Sequence, residues 1–138
     1  MNYSPTSIAK RIKKANRVFI VGNGGSYANA AHIVNDLLAC GVPAFTLDAA
    51  SLTASANDYG FETVFARWVS TVGCEGDLLI ALSGSGRSPN ILGAIDAAQM
   101  KGMDHILVTD YLTTMDMQQS EEEQIVLGHE VMRLLRAQ

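Results

Sequence analysis

At 138 residues, 48% apolar and 17% charged, the chain has the make-up of one globular domain, not of a disordered or fibrous protein. Its net charge is −4, and its one basic cluster, Lys10, Arg11, Lys13 and Lys14, alternates with Ile8 and Ile12 as a solvated helix face does, which argues against a nucleic-acid surface. No apolar stretch approaches the ~20 residues of a bilayer span, and Met1–Ser7 lacks a basic-then-apolar leader pattern, so the expectation is a cytoplasmic protein with no membrane partner.

In chain order, Pro5 suits a helix start, and helical spacing runs through Ser7–Asn16. Arg17–Val21 is a short β-branched run, apolar on both faces, as in a central parallel strand. Gly22–Gly25 breaks it, and Ser26 is placed to cap a helix that runs to about Leu38. Val42–Leu47 is a second strand. Leu52–Ala56 and Phe61–Val72 read as helices, with Asn57–Gly60 as the turn between them. Leu78–Leu82 is another fully apolar strand. Ser83–Ser88 then turns the chain into a helix over Pro89–Met100, which Gly102 closes. His105–Val108 is a fourth strand, and Tyr111–Gln119 is a loop or short element. Glu121–Leu135 closes the chain as a helix, with Glu121, Glu122 and Glu123 favouring its first turn. Strand, Gly/Ser loop, helix and strand in repetition predict an α/β fold, a doubly wound parallel sheet of four to five strands flanked by helices, as a single domain over residues 1–138. Cys40 and Cys74 lack metal or redox spacing and read as buried thiols, not a disulfide.

Two loops stand where open parallel sheets bind ligands, after a strand and before a helix. Gly22-Asn23-Gly24-Gly25-Ser26 is neither a dinucleotide fingerprint, since position 27 is Tyr27, nor a Walker loop, since no Gly-Lys-Ser/Thr follows. Ser83-Gly84-Ser85-Gly86-Arg87-Ser88 is more informative. Its glycines let the backbone approach an anion, its hydroxyls donate, and the helix end adds positive potential. Such a loop binds a phosphate, where an ordinary Ser/Gly turn would be a polar connection with a Ser cap.

The order of these motifs resembles the sugar isomerase (SIS) domain family, and within it the phosphoheptose isomerase branch. The resemblance rests on the strand ending in Ser83-x-Ser85-Gly86-x-Ser88, on Gly22–Ser26 followed by Ala31-His32 and Asp36, on Asn57-Asp58, and on Gly76-Asp77 before the phosphate strand. It spans about Val18 to Thr109. It implies interconversion of sedoheptulose 7-phosphate and a heptose 7-phosphate, early in activated-heptose synthesis, through an enediol. By resemblance Ser83, Ser85 and Ser88 would hold the phosphate, Asn23, Gly24 and Ser26 the sugar end, and Asp58 would line the pocket. Asp36 and His129 would be the acid–base pair. A zinc ion, present in some members, would be held by His32, Asp36, Glu121 and His129, with Glu122 or Gln124 replacing Glu121 under a small register change. Members are typically homotetramers with shared active sites.

The residues give this set a chemistry of their own. His32 and Asp36 stand i, i+4 on one helix face, and imidazoles and carboxylates suit a zinc-like ion. Without the family pattern, His32 is a helix-face histidine with a local partner and His129 a surface position on the closing helix. The chain also departs from the pattern. Asp36 stands for Glu, Glu121 stands for Gln, and the Arg-bearing loop after the first long helix is reduced to Ala39–Val42. A non-catalytic SIS adaptor, such as a relative that associates with a replication initiator, and a phosphosugar-sensing module are the other functions such a domain supports.

Overall fold

The structure is a computed structural model that describes residues 4–112 and 116–137. Four parallel strands, β1 (Val18–Gly22), β2 (Ala44–Thr46), β3 (Leu78–Leu82) and β4 (Asp104–Leu107), lie in the order β2-β1-β3-β4. Six α-helices accompany them: α1 (Pro5–Lys14), α2 (Gly25–Ala39), α3 (Ala49–Tyr59), α4 (Val64–Val72), α5 (Pro89–Met100) and α6 (Met117–Arg136). Short 3-10 turns at Phe61–Thr63 and Val108–Tyr111 link the rest.

Every residue of β1 and β3 is buried, because helices cover both faces of the sheet. Alternation along the strands divides them. Val18, Ile20, Leu78, Ile80 and Leu82 pack with α1, α2 and α6, while Phe19, Val21, Leu79 and Ala81 pack with α4 and α5. Each of these side chains except Ala81 contributes on the order of 2 kcal/mol by leaving water. α1 fits the same logic, burying Ile8, Ala9 and Ile12 beneath a Ser4–Ser7 capping box while its lysines face solvent.

Several boundaries differ from the sequence reading, and each difference has a local cause. Asp48 caps α3 through Ser51 N, so the helix starts earlier and carries Asn57 and Asp58 in its last turn, not in a connecting turn. Asp116 caps α6 through Gln119 N, which moves Glu121–Glu123 out of the first turn. Ser26 lies inside α2 and does not cap it; the N-cap is Gly24. Residues 113–115 of the predicted Tyr111–Gln119 segment lie outside the described residues. Both cysteines are free, but Cys74 is exposed and Cys40 half-buried, so neither is the deeply buried thiol expected. Among the described residues no helix is long and apolar enough to cross a membrane.

Two ion pairs secure the end of the sheet where the strands begin. Arg17, just before β1, donates to both oxygens of Asp77, just before β3, and to the Val72 carbonyl. Asp77 is 1% exposed and also accepts from Cys74 N. The bonded carboxylate raises the Arg17 pKa above its ordinary value. At the edge, Arg11 of α1 grips Asp104 of β4 and donates to the His105 carbonyl. The hydrogen bond from Arg11 holds the Asp104 carboxyl below the usual carboxylate range.

Arg17→Met leaves a buried carboxylate without its cation. It should lower unfolding free energy by about 2–4 kcal/mol in urea titration, less than a fully buried pair because Arg17 is itself partly exposed. Asp104→Asn should cost about 1 kcal/mol or less at pH 7. Because the folded-state pKa of Asp104 is depressed, its contribution is complete above the unfolded value near ~3.9 and disappears as pH falls through the folded value. Thermal melts of the wild type and variant should therefore converge in acid.

Candidate functional site

The strand order reverses between β1 and β3, so the chain leaves β1 toward one face of the sheet and β3 toward the other. The crevice at the carboxyl ends of this pair is where open sheets bind ligands, and both predicted loops open into it. Ser4, Asp48 and Asp116 cap α1, α3 and α6 with their side chains. α2, α4 and α5 have no side-chain cap, and of these α2 and α5 begin at the crevice.

The loop before α5 is ordered by its own hydroxyls. Ser83 Oγ accepts from Gly86 N at 3.0 Å, and Ser85 Oγ from Arg87 N at 3.1 Å. Thr109 Oγ1, from the 3-10 turn after β4, donates to the Ser83 carbonyl. Ser88 is the N-cap residue of α5, and its hydroxyl makes no capping bond, which leaves that terminus open to an anion. Gly84 admits α6, since a Cβ there would meet the Met117 side chain. The loop before α2 is held by side chains. Asn23 and Asn90 exchange two amide hydrogen bonds of 2.8 and 2.9 Å. Gln124 of α6, 1% exposed, donates to Ser26 Oγ at 3.1 Å and accepts from Asn29 at 2.9 Å.

Farther along α2, His32 and Asp36 meet His129 of α6. The two Nε2 atoms lie 3.1 Å apart, and Asp36 Oδ2 is 3.3 Å from His32 and 3.8 Å from His129. The three donor atoms lie within 4.8 Å of one another. Ligands on a tetrahedral divalent ion, bound at roughly 2.0–2.2 Å, stand about 3.3–3.6 Å apart, a range these spacings bracket. Among the described residues the buried Asp36 Oδ2 has no hydrogen-bond partner, only these two imidazoles near it, as expected of a group arranged for an ion. Three protein donors leave a further position for another ligand.

The other predicted site residues fall in different places. The Glu121 carboxylate lies against Gly25, where only a bare Cα admits it, and is not in the His32–Asp36–His129 group. Gly25 precedes His32 by seven residues, about 10 Å of helical rise. Gln124, the register substitute for Glu121, is bonded to Ser26 and Asn29. Asp58 is exposed at the end of α3, in contact with Asn57. A cleft of about 190 Å³ beside Asn23 and Gly24 is walled by Tyr27, Leu52 and Phe61, without Asp58. Sequence reasoning missed Asn90 and Thr109. Asn90 carried a usable signal, a polar residue opening the otherwise apolar first turn Asn90-Ile91-Leu92, whereas Thr109 is defined by tertiary contact alone.

A sequence profile described as SIS domain matches residues 4–110. A phosphoheptose isomerase of Bradyrhizobium sp. (strain ORS 278) is 43% identical over 106 residues, 71% of this chain and 54% of that protein. A phosphoheptose isomerase of Burkholderia pseudomallei (strain K96243) is 46% identical over 100 residues, 67% of this chain and 51% of that protein. The chain thus spans about half the length of the relatives it matches. Among solved structures, a phosphoheptose isomerase from Francisella tularensis superposes with a TM-score of 0.88 at 26% identity, covering 97% of this chain and 85% of that one. One from Neisseria gonorrhoeae gives 0.83 at 27% identity, with 97% and 83% covered.

Gln124→Ala should lower stability by about 1–3 kcal/mol, because it strips Ser26 and Asn29 of a buried partner. Denaturant titration would check this.

Proposed function

The chain belongs to the SIS-domain family, and from that premise we propose that it is an aldose–ketose isomerase of the phosphoheptose isomerase kind, interconverting sedoheptulose 7-phosphate and a heptose 7-phosphate. The observation that carries this reading is the convergence of two ends of one site. The uncapped start of α5 with Ser83, Ser85 and Ser88 suits a phosphate, and a carboxylate–imidazole cluster lies two turns down α2. On this reading residues 1–138 act as one SIS unit, in the cytoplasm, with α6 closing the site.

The reaction is a 1,2-proton shift. A base removes a proton from C1 of the ketose, the electron pair forms the C1–C2 double bond, and the carbonyl oxygen on C2 gains a proton. The enediol then loses the C1 hydroxyl proton and gains one on C2, which yields the aldehyde. Asp36 is the base and His129 the group that moves protons between the oxygens. Gly24 and Ser26 hold the sugar end, and Asn23 serves it by placing their loop. Asp58, exposed in the last turn of α3, would line the pocket. A zinc ion held by His32, Asp36 and His129 would polarise the carbonyl. Asp36 is one methylene shorter than the family's Glu, and Glu121 lies at the α2 terminus; among the described residues His32, Asp36 and His129 form the cluster.

The open crevice also argues for self-association. α3 buries none of its residues, and Leu38, Phe45, Tyr59 and Phe61 are exposed. A homotetramer with shared sites would cover such faces.

Incubation with sedoheptulose 7-phosphate, with and without added zinc and followed by NMR, should show a new aldose signal. Asp36→Ala and His129→Ala should each slow its appearance at least ~100-fold while phosphosugar binding persists. Binding without conversion by the wild type would leave the adaptor reading in its place.

A further inference from the structure

We propose that Asn90 is a positioning residue which, through its amide pair with Asn23, fixes the spacing between the two ligand loops and so sets the length of phosphosugar the site accepts. The inference rests on the phosphosugar reading above and adds a residue and a property to it.

The argument begins with where the backbone connection stops. Parallel pairing of β1 with β3 ends at Gly22 and Leu82. Beyond that rung, no backbone hydrogen bond among the described residues joins 23–26 to 83–90. The two loops that must grip opposite ends of one ligand therefore share no main-chain tie. The Asn23–Asn90 pair crosses that gap. Asn23 Nδ2 donates to Asn90 Oδ1 at 2.8 Å, and Asn90 Nδ2 donates to Asn23 Oδ1 at 2.9 Å.

Both ends of this link are firmly placed. Asn90 is the second residue of α5, directly after the phosphate loop, and is 2% exposed. Asn23 follows β1 directly, and its carbonyl accepts from Ser26 N in the first turn of α2. A buried amide left without a partner keeps its full desolvation cost, so the pair resists opening. Two parallel bonds also fix orientation as well as distance, which one bond does not. With its amide engaged by Asn90, Asn23 acts on a ligand mainly through the position of its loop. A ligand held only by its phosphate would not register this spacing. One that reaches both loops would.

Calorimetric titration of the full chain with three probes tests the proposal: inorganic phosphate, glycerol 3-phosphate and sedoheptulose 7-phosphate. Asn90→Ala should raise the Kd for sedoheptulose 7-phosphate about tenfold and leave the two short probes within about twofold. The N23A/N90A double variant removes both partners, leaves no orphaned amide and so guards against a folding defect. It should bind the long probe no more weakly than N90A. Equal loss of all three probes, additive losses in the double variant, or an effect of N23A with none of N90A would overturn the proposal. Wild-type protein that binds the short probes but not sedoheptulose 7-phosphate would overturn the substrate reading, and the gauge with it. Normal wild-type binding of all three, with N90A unchanged, would overturn the gauge alone.

Discussion

The parallel pairing of β1 with β3 is the constraint on which the ligand end of this molecule depends. It runs from Val18 opposite Leu78 to Gly22 opposite Leu82, buried on both faces. β1 has β2 as its other neighbour and β3 has β4, so the outgoing connections separate. α2 packs with Ile33 and Leu37 on one side of the sheet, and α5 with Ile91 and Ala94 on the other. Two helix starts thus open side by side above the same pair of strands. A crevice at that point follows from topology and needs no special sequence. What the sequence adds is the lining.

That lining shows in how buried polar groups are distributed. Asp77 lies where β3 begins and is answered by Arg17. Ser26, Ser83, Asn90, Ser120 and Gln124 are all associated with the crevice loops or with the start of α6 beside them. Burying such groups is costly unless each is bonded, and a fold under selection for stability alone would place apolar side chains there. The bonds of Ser83, Asn90 and Gln124 hold loop geometry more than they hold the sheet. Polar side chains retained at one end of an apolar sheet fit a built site better than a stability device.

The sequence disclosed these parts unevenly, for physical reasons. β1 and β3 were legible because burial on both faces leaves an unbroken apolar run, and the Ser83–Ser88 loop because hydroxyls and glycines between a strand and a helix have few other uses. Helix limits at α3 and α6 were missed where a single capping aspartate, Asp48 or Asp116, outweighed the periodicity that followed it. His32 and Asp36 were legible as one helix face, and His129 only through the family pattern, since its partner His32 lies 97 residues away in sequence. The Asn23–Asn90 and Ser83–Thr109 contacts are tertiary, and no local pattern encodes them.

The position of Glu121 bears on which way a ligand lies. α2 and α5 both present uncapped N-termini, and a helix start carries roughly half a positive charge. Glu121 brings a carboxylate from α6 against Gly25, so the protein supplies its own anion to α2. Among the described residues no side chain caps the α5 start in the same way. On the phosphosugar reading, the phosphate is therefore drawn to α5 and repelled from α2, and the neutral polyol extends along α2 toward His32, Asp36 and His129. A glutamine at 121 would leave both termini open to an anion. The glutamate breaks that symmetry.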